Sequence, residues 1–195
     1  VTVLYAGRFV DRKGLRELLA AAPAVLAQAP HVRFVLAGGH RFASAESMAA
    51  FWLPDSCRPY RDRIAFTGWL SPDRVAEWYA AADVLVVPSW YEPFGMVILE
   101  GMLYGLAILA TSVGGPMEIL ADEHTGLLCA PRDPVDLERQ LLRLVRDSAL
   151  RMRLGREAAG EVRARWLYRH VVDQMCSVYV EVTEELPRGR SRRAA

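Results

Sequence analysis

Short apolar runs closed by glycine alternate along this chain with longer stretches whose apolar residues recur at every third or fourth position. Thr2–Ala6 reads as a buried strand ending at Gly7, and Gly14–Gln28 carries helical spacing through Leu15, Leu18, Leu19, Ala22 and Leu26. Val32–Ala37 is a second strand closed by Gly38 and Gly39, followed by a helix over Ala45–Leu53 that Pro54 stops. Ile64–Thr67 ends at Gly68. Ser71 and Pro72 then read as the N-cap and first turn of a helix to about Ala82. Asp83–Pro88 is the next strand, a loop with two glutamates leads into a helix to Tyr104, and Ala107–Thr111 is a strand again. Gly114–Glu118 opens a short helix and Gly126–Cys129 is the last strand. Helical patterns cover Pro134–Asp147, Leu150–Arg165 and Tyr168–Glu185.

Strands such as Val84–Val87 are apolar on both faces, which a strand tolerates when helices cover the sheet on two sides. The pattern therefore predicts an α/β fold: a doubly wound parallel sheet, Rossmann-like, with about six strands, helices on both faces and extra C-terminal helices. Ligands in such sheets bind at the carboxyl ends of the strands, where every glycine-bearing loop falls. No internal repeat or linker divides the chain, so residues 1–186 read as one domain. Residues 187–195, with four arginines and no large apolar side chain, read as a disordered basic tail.

The totals narrow the function. At 195 residues, 52% hydrophobic and 24% charged, the chain has the make-up of a globular domain with a real core. A net charge of +1 argues against a nucleic-acid surface. No apolar run approaches membrane-span length, so membrane association is not encoded in this segment. Cys57, Cys129 and Cys176 are far apart and fit no CxxC spacing, as free, mostly buried thiols do in a reducing, cytoplasmic setting. His31, His124 and His170 give no metal spacing, His40 after Gly38-Gly39 lies at the expected ligand face but reads as a plain loop histidine, and there is no Asp-x-Asp pair. Lys13 is the one lysine. The chain starts at Val1, directly on a strand, as an excised portion of a longer protein does.

Chemistry concentrates in Pro88–Gly105. Glu92 and Glu100 are separated by seven residues across a strand–loop–helix passage. Unpaired amides at a helix start, together with the helix dipole, favour an anion, and carboxylates beside them accept hydrogen bonds from hydroxyls. Phosphate and sugar side by side suggest a nucleotide-sugar. The first loop adds cations, with Arg8 and Lys13 the candidates for phosphate; it lacks GxGxxG, which disfavours a dinucleotide cofactor. As an isolated feature, that loop is a turn with solvated basic residues.

Gly7-Arg8-x4-Lys13-Gly14, Glu92-x7-Glu100 with Pro-Phe-Gly after the first glutamate, and Gly114-Gly-Pro-x-Glu118 with Gly126-Leu-Leu occur in this order. Together they resemble the C-terminal, donor-binding domain of GT-B glycosyltransferases of family 4, or group 1, over about residues 1–150. The resemblance implies a retaining, metal-independent transferase of a hexosyl unit from a nucleoside-diphosphate sugar, with no further cofactor. It implies that Arg8 and Lys13 hold the diphosphate and stabilise charge on the leaving group, with Gly7 beside them. Glu92 would meet hydroxyls of the transferred sugar, while Phe94, Gly95, Met96 and Val97 offer backbone amides. Glu100 would accept the ribose hydroxyls, and Gly68 and Trp69 would lie against the base. Gly114 and Gly115 belong to the donor site or simply make a tight turn. A GT-B enzyme also has an N-terminal acceptor domain, expected upstream, through which it can sit peripherally at a membrane.

Plainer readings stand beside these. Glu92 caps the following helix, Glu100 is a surface glutamate, and Trp52, Trp78 and Trp166 are packing residues. The arginine-rich Arg139–Arg169 faces are solvated and paired with acids. Other classes remain: a GT-B-type epimerase or phosphorylase, though Lys13 is wrongly placed for a pyridoxal lysine, or a non-catalytic nucleotide-binding module.

Overall fold

The computed structural model describes residues 1–185, so the expected tail at 187–195 lies outside the described residues. Six strands, β1 (Thr2–Gly7), β2 (Arg33–Gly38), β3 (Ile64–Gly68), β4 (Val84–Val87), β5 (Ala107–Thr111) and β6 (Leu127–Cys129), form one parallel sheet. Their spatial order is β3-β2-β1-β4-β5-β6. The chain winds outward from β1 in one direction and returns from β4 in the other, so a crevice opens between the carboxyl ends of β1 and β4. The two loops richest in chemistry, after Gly7 and after Val87, leave from those two ends.

Helices α1 (Leu15–Gln28), α2 (Ala45–Trp52), α3 (Pro72–Ala81), α4 (Met96–Leu103), α5 (Gly115–Ile119), α6 (Pro134–Arg146), α7 (Ser148–Glu161) and α8 (Tyr168–Glu185) cover the sheet or extend from it. Successive strand residues point to opposite faces, and each face has its own core. Val3, Tyr5, Phe34, Val84 and Val86 pack with Leu18 and Leu26 of α1 and Leu141 of α6. Leu4, Val35, Leu85 and Ile108 pack with Ile98 and Met102 of α4 and Ala158 of α7. All four residues of β4 are buried, as the unbroken apolar run predicts.

Several expectations need correction. Asp11–Lys13 forms a 3₁₀ turn that the apolar spacing gave no sign of, because none of its residues is buried. Ser71 occupies the N-cap position of α3, with Pro72 at the first turn, but its hydroxyl accepts no cap hydrogen bond. The helix expected over Leu150–Arg165 starts earlier, at Ser148, and loosens into a π turn over Val162–Trp166. Cys57 and Cys129 are buried, with burial pushing the Cys129 thiol up to about 12, but Cys176 is exposed. The arginine faces do pair with acids, as in Arg143–Glu123 and Arg165–Glu161. Trp52, Trp78 and Trp166 pack against the two cores. Among the described residues, no helix is long and apolar enough to cross a membrane.

Candidate functional site

The glycines at the strand ends are aligned by the sheet. Gly7 of β1 is in register with Gly38 of β2, and Ala37 is in register with Gly68 of β3. A Cβ on Gly38 would lie 2.1 Å from the Gly7 carbonyl oxygen, so the close approach of these two strand ends requires glycine. A shallow shelf of backbone results, open towards Arg8. The Arg8 carbonyl is held by the Tyr5 phenol at 2.9 Å. Burial, and then the nearby Glu92 carboxylate, push that phenol far above its ordinary value, so it remains a donor.

Across the crevice, α4 begins at Gly95, whose φ of +105° few other residues tolerate. The first-turn amides of Met96 and Val97 have no acceptor within the helix, and both residues line the crevice. Gly7, Arg8, Gly38, Gly39, Trp69, Met96, Val97 and Glu100 line one cleft of about 360 Å³. A second cavity of about 420 Å³ continues from it along α3, sharing Trp69, Leu70, Val75, Tyr79 and Glu100 and ending at Tyr104. Trp69 is half-exposed, with the Arg41 guanidinium 5.3 Å from its ring centre. Such a crevice, cationic and amide-lined at one end and aromatic at the other, suits an elongated ligand with an anionic middle and a flat end.

Glu92 and Lys13 lie deeper. Glu92 is 7% exposed, and its Oε2 accepts from Lys13 Nζ at 2.5 Å and from Ser89 Oγ at 3.3 Å. The 3₁₀ turn explains how Lys13 reaches it. The turn ends at Gly14, with φ of +70°, and a Cβ there would stand 1.8 Å from the Pro88 carbonyl oxygen. This contact presses the first loop against the end of β4, and the Trp90 amide donating to the Arg12 carbonyl at 2.8 Å fastens the two loops. Glu92 does not cap α4: its carboxylate accepts from Lys13 and Ser89, and among the described residues no first-turn amide of the helix donates to it.

Gly114 and Gly115 buttress this arrangement from the far side. The Gly115 amide donates to the Glu92 carbonyl at 2.9 Å, and a Cβ on Gly115 would lie 1.9 Å from the Phe94 carbonyl oxygen. Both glycines thus set the path of the Glu92–Gly95 loop and are absent from the cleft lining, as is Gly68. Phe94 is 41% exposed and packs edge-on against Trp166, 5.8 Å between ring centres.

Glu100 stands one turn into α4 between buried Leu99 and Met102. Its Oε2 accepts from the Tyr79 phenol at 2.7 Å. Neither Tyr79 nor Ser89 was singled out by sequence. Tyr79 follows Val75 at helical spacing and so reads as plain core, and Ser89 is one polar residue after a strand. Among the described residues, no cluster of His, Cys, Asp and Glu is arranged to hold a metal ion. His40 lies in the loop after β2, its ring 5.9 Å from Phe42.

A doubly wound parallel sheet with a crevice at its switch point defines a Rossmann-like α/β domain, and the comparisons with known proteins carry this further. The profile of the family "Glycosyl transferases group 1" matches residues 1–147, and the chain belongs to that family. It is 30% identical over 188 residues to an uncharacterized glycosyltransferase of Methanocaldococcus jannaschii, a match over 95% of this chain and 46% of that protein. Among solved structures, sucrose-phosphate synthase from Thermosynechococcus elongatus superposes with a TM-score of 0.79 at 34% identity, over 94% of this chain and 45% of that one. HepE of Anabaena, in complex with UDP, gives a TM-score of 0.79 at 24% identity, over 92% and 48%, a likeness of fold alone. The fold is that of one half of a GT-B glycosyltransferase, and the chain spans about half the length of the curated relatives it matches.

Proposed function

We propose that this chain is the donor-binding half of a retaining glycosyltransferase that takes a hexosyl unit from a nucleoside-diphosphate sugar, with the acceptor held by an N-terminal domain outside this sequence. The observation that carries the proposal is the convergence of Gly7, Arg8, Met96, Val97 and Glu100, from two segments some ninety residues apart, on one cleft at the sheet's switch point. Membership of the group 1 family and the UDP bound by a protein of the same fold support it.

In this reading the diphosphate lies between Arg8 and the start of α4. The guanidinium forks onto phosphate oxygens, and the amides of Gly95, Met96 and Val97 add fixed dipoles. Lys13 contributes without abandoning Glu92, because an ammonium group has three donors and the ion pair uses one. When the bond from the sugar's anomeric carbon to the phosphate oxygen breaks, negative charge builds on that oxygen. Groups already aimed at it lower the barrier without reorganising. This electrostatic role needs no metal ion. Glu92 has one oxygen committed to Lys13 and Ser89, leaving the other for sugar hydroxyls. A carboxylate neutralised by an ion pair is a poor covalent nucleophile, which favours attack by the acceptor on the face the phosphate leaves. Glu100 accepts the ribose hydroxyls, and Trp69 flanks the base.

Calorimetric titration with UDP-, GDP- and ADP-glucose tests the reading. One of them is expected to bind, with Arg8→Ala weakening it about tenfold to a hundredfold, the worth of a charge-assisted phosphate contact. Absence of binding by all three, or an Arg8→Ala variant indistinguishable from the parent, would overturn it.

A further inference from the structure

The carboxylate of Glu100 could swing through several rotamers on an exposed helix face, yet here it is tied. Tyr79 reaches it from α3, its ring 4% exposed and its phenol donating to Oε2 at 2.7 Å. This is the one hydrogen bond recorded for the Glu100 carboxylate among the described residues, so Oε1 has no protein partner. Tyr104, from the end of α4, lies over the Tyr79 ring with centroids 5.5 Å apart and planes 23° apart, which fixes the phenol in turn. Tyr79 and Glu100 line both cavities, at the point where they join. The phenol is held well above its ordinary pKa, first by burial and then by Glu100 itself, so it stays protonated and can only donate to a carboxylate.

We infer that Tyr79 is a positioning residue: it locks Glu100 in the rotamer that offers its remaining lone pairs to the cleft, so that the ribose diol meets a preorganised acceptor. The inference rests on the reading of Glu100 as the ribose contact. A free glutamate loses side-chain entropy when a ligand immobilises it; a glutamate already tied has lost it on folding. The tie therefore strengthens only what Glu100 touches, and this separates positioning from general support of the fold.

The test compares ribose with dideoxyribose. The chain and its Tyr79→Phe variant, which keeps the ring and loses one oxygen, are titrated with UDP, GDP and ADP and with the 2′,3′-dideoxy form of each. The parent is expected to prefer the ribose form of the nucleotide it binds by at least about tenfold, as removal of a charge-assisted contact implies. In Tyr79→Phe that preference is expected to shrink several-fold while dideoxy affinity holds. In a Glu100→Gln background, adding Tyr79→Phe is expected to change the preference no further, because the two act as one unit. An unchanged preference in Tyr79→Phe, or equal losses for ribose and dideoxy forms, would overturn the inference while leaving the ribose role of Glu100 standing. A parent that binds both forms equally would overturn that role and the inference together. No binding by any of the six would overturn the donor reading itself.

Discussion

Glu92 and Glu100 belong to one strand–loop–helix passage but are held in different ways. Glu92 is buried in a loop, paired to a cation that arrives from a segment 79 residues away, and framed by glycines at which the backbones of three segments touch. Glu100 is half-buried on a regular helix, paired to a neutral phenol and bordered by open cavity. The first environment tolerates almost no change in side-chain size or charge. The second is a side chain steadied on an already stable scaffold. A site that must both resist rising charge and admit a flexible ligand benefits from having one carboxylate of each kind.

The backbone contacts that frame Glu92 should give the largest effect, and the Glu92 ion pair should outweigh the Tyr79 hydrogen bond to Glu100. Gly115→Ala would drive a Cβ to 1.9 Å from the Phe94 carbonyl oxygen, and we expect a loss of about 3 kcal/mol or more in urea denaturation, since backbone on both sides must move. The matching change on the other side, Gly101→Ala in α4, meets side-chain atoms instead, Leu85 Cδ2 at 2.5 Å, and is expected to cost about 1–3 kcal/mol, the range for overpacking. Glu92→Gln leaves Lys13 without its counter-charge. Because the Lys13 side chain keeps 22% exposure, the expected loss is about 1–3 kcal/mol, below that of a fully buried pair. Tyr79→Phe removes one hydrogen bond and should cost about 1 kcal/mol, by the same denaturation measurement. Ser89→Ala, which removes the weaker contact at 3.3 Å, should cost about 0.5 kcal/mol and so mark the small end of the series. If Tyr79→Phe proved as damaging as Glu92→Gln, the contrast between the two sides would not hold.

Much of the fold was legible because its signals are local. Apolar runs ending in glycine mark β1 to β3, and β5 begins and ends where the run Ala107–Thr111 does. The glycine-bearing loops were expected at the carboxyl ends of the strands, and the register of Gly7 with Gly38 places them there. What could not be read depends on contacts between distant segments. The ion pair of Lys13 with Glu92 requires the strand order and the 3₁₀ turn, and neither follows from the spacing of the two residues. The sequence left Gly114 and Gly115 open between a tight turn and a site; the fold presses them under the Glu92 loop. Ser89 and Tyr79 went unnoticed because a lone serine and a tyrosine on an apolar helix stripe resemble ordinary strand-end and core residues. Only their hydrogen bonds to the two glutamates distinguish them.

The central claim is that Glu92 meets the transferred sugar and Glu100 the ribose. Calorimetry with a nucleoside diphosphate and its glucose conjugate, on the parent, Glu92→Gln and Glu100→Gln, tests it most directly. The account predicts that Glu92→Gln loses affinity only for the conjugate, whereas Glu100→Gln loses about tenfold or more for both ligands. Equal losses for the two ligands in Glu92→Gln, or an undiminished nucleoside-diphosphate affinity in Glu100→Gln, would contradict it.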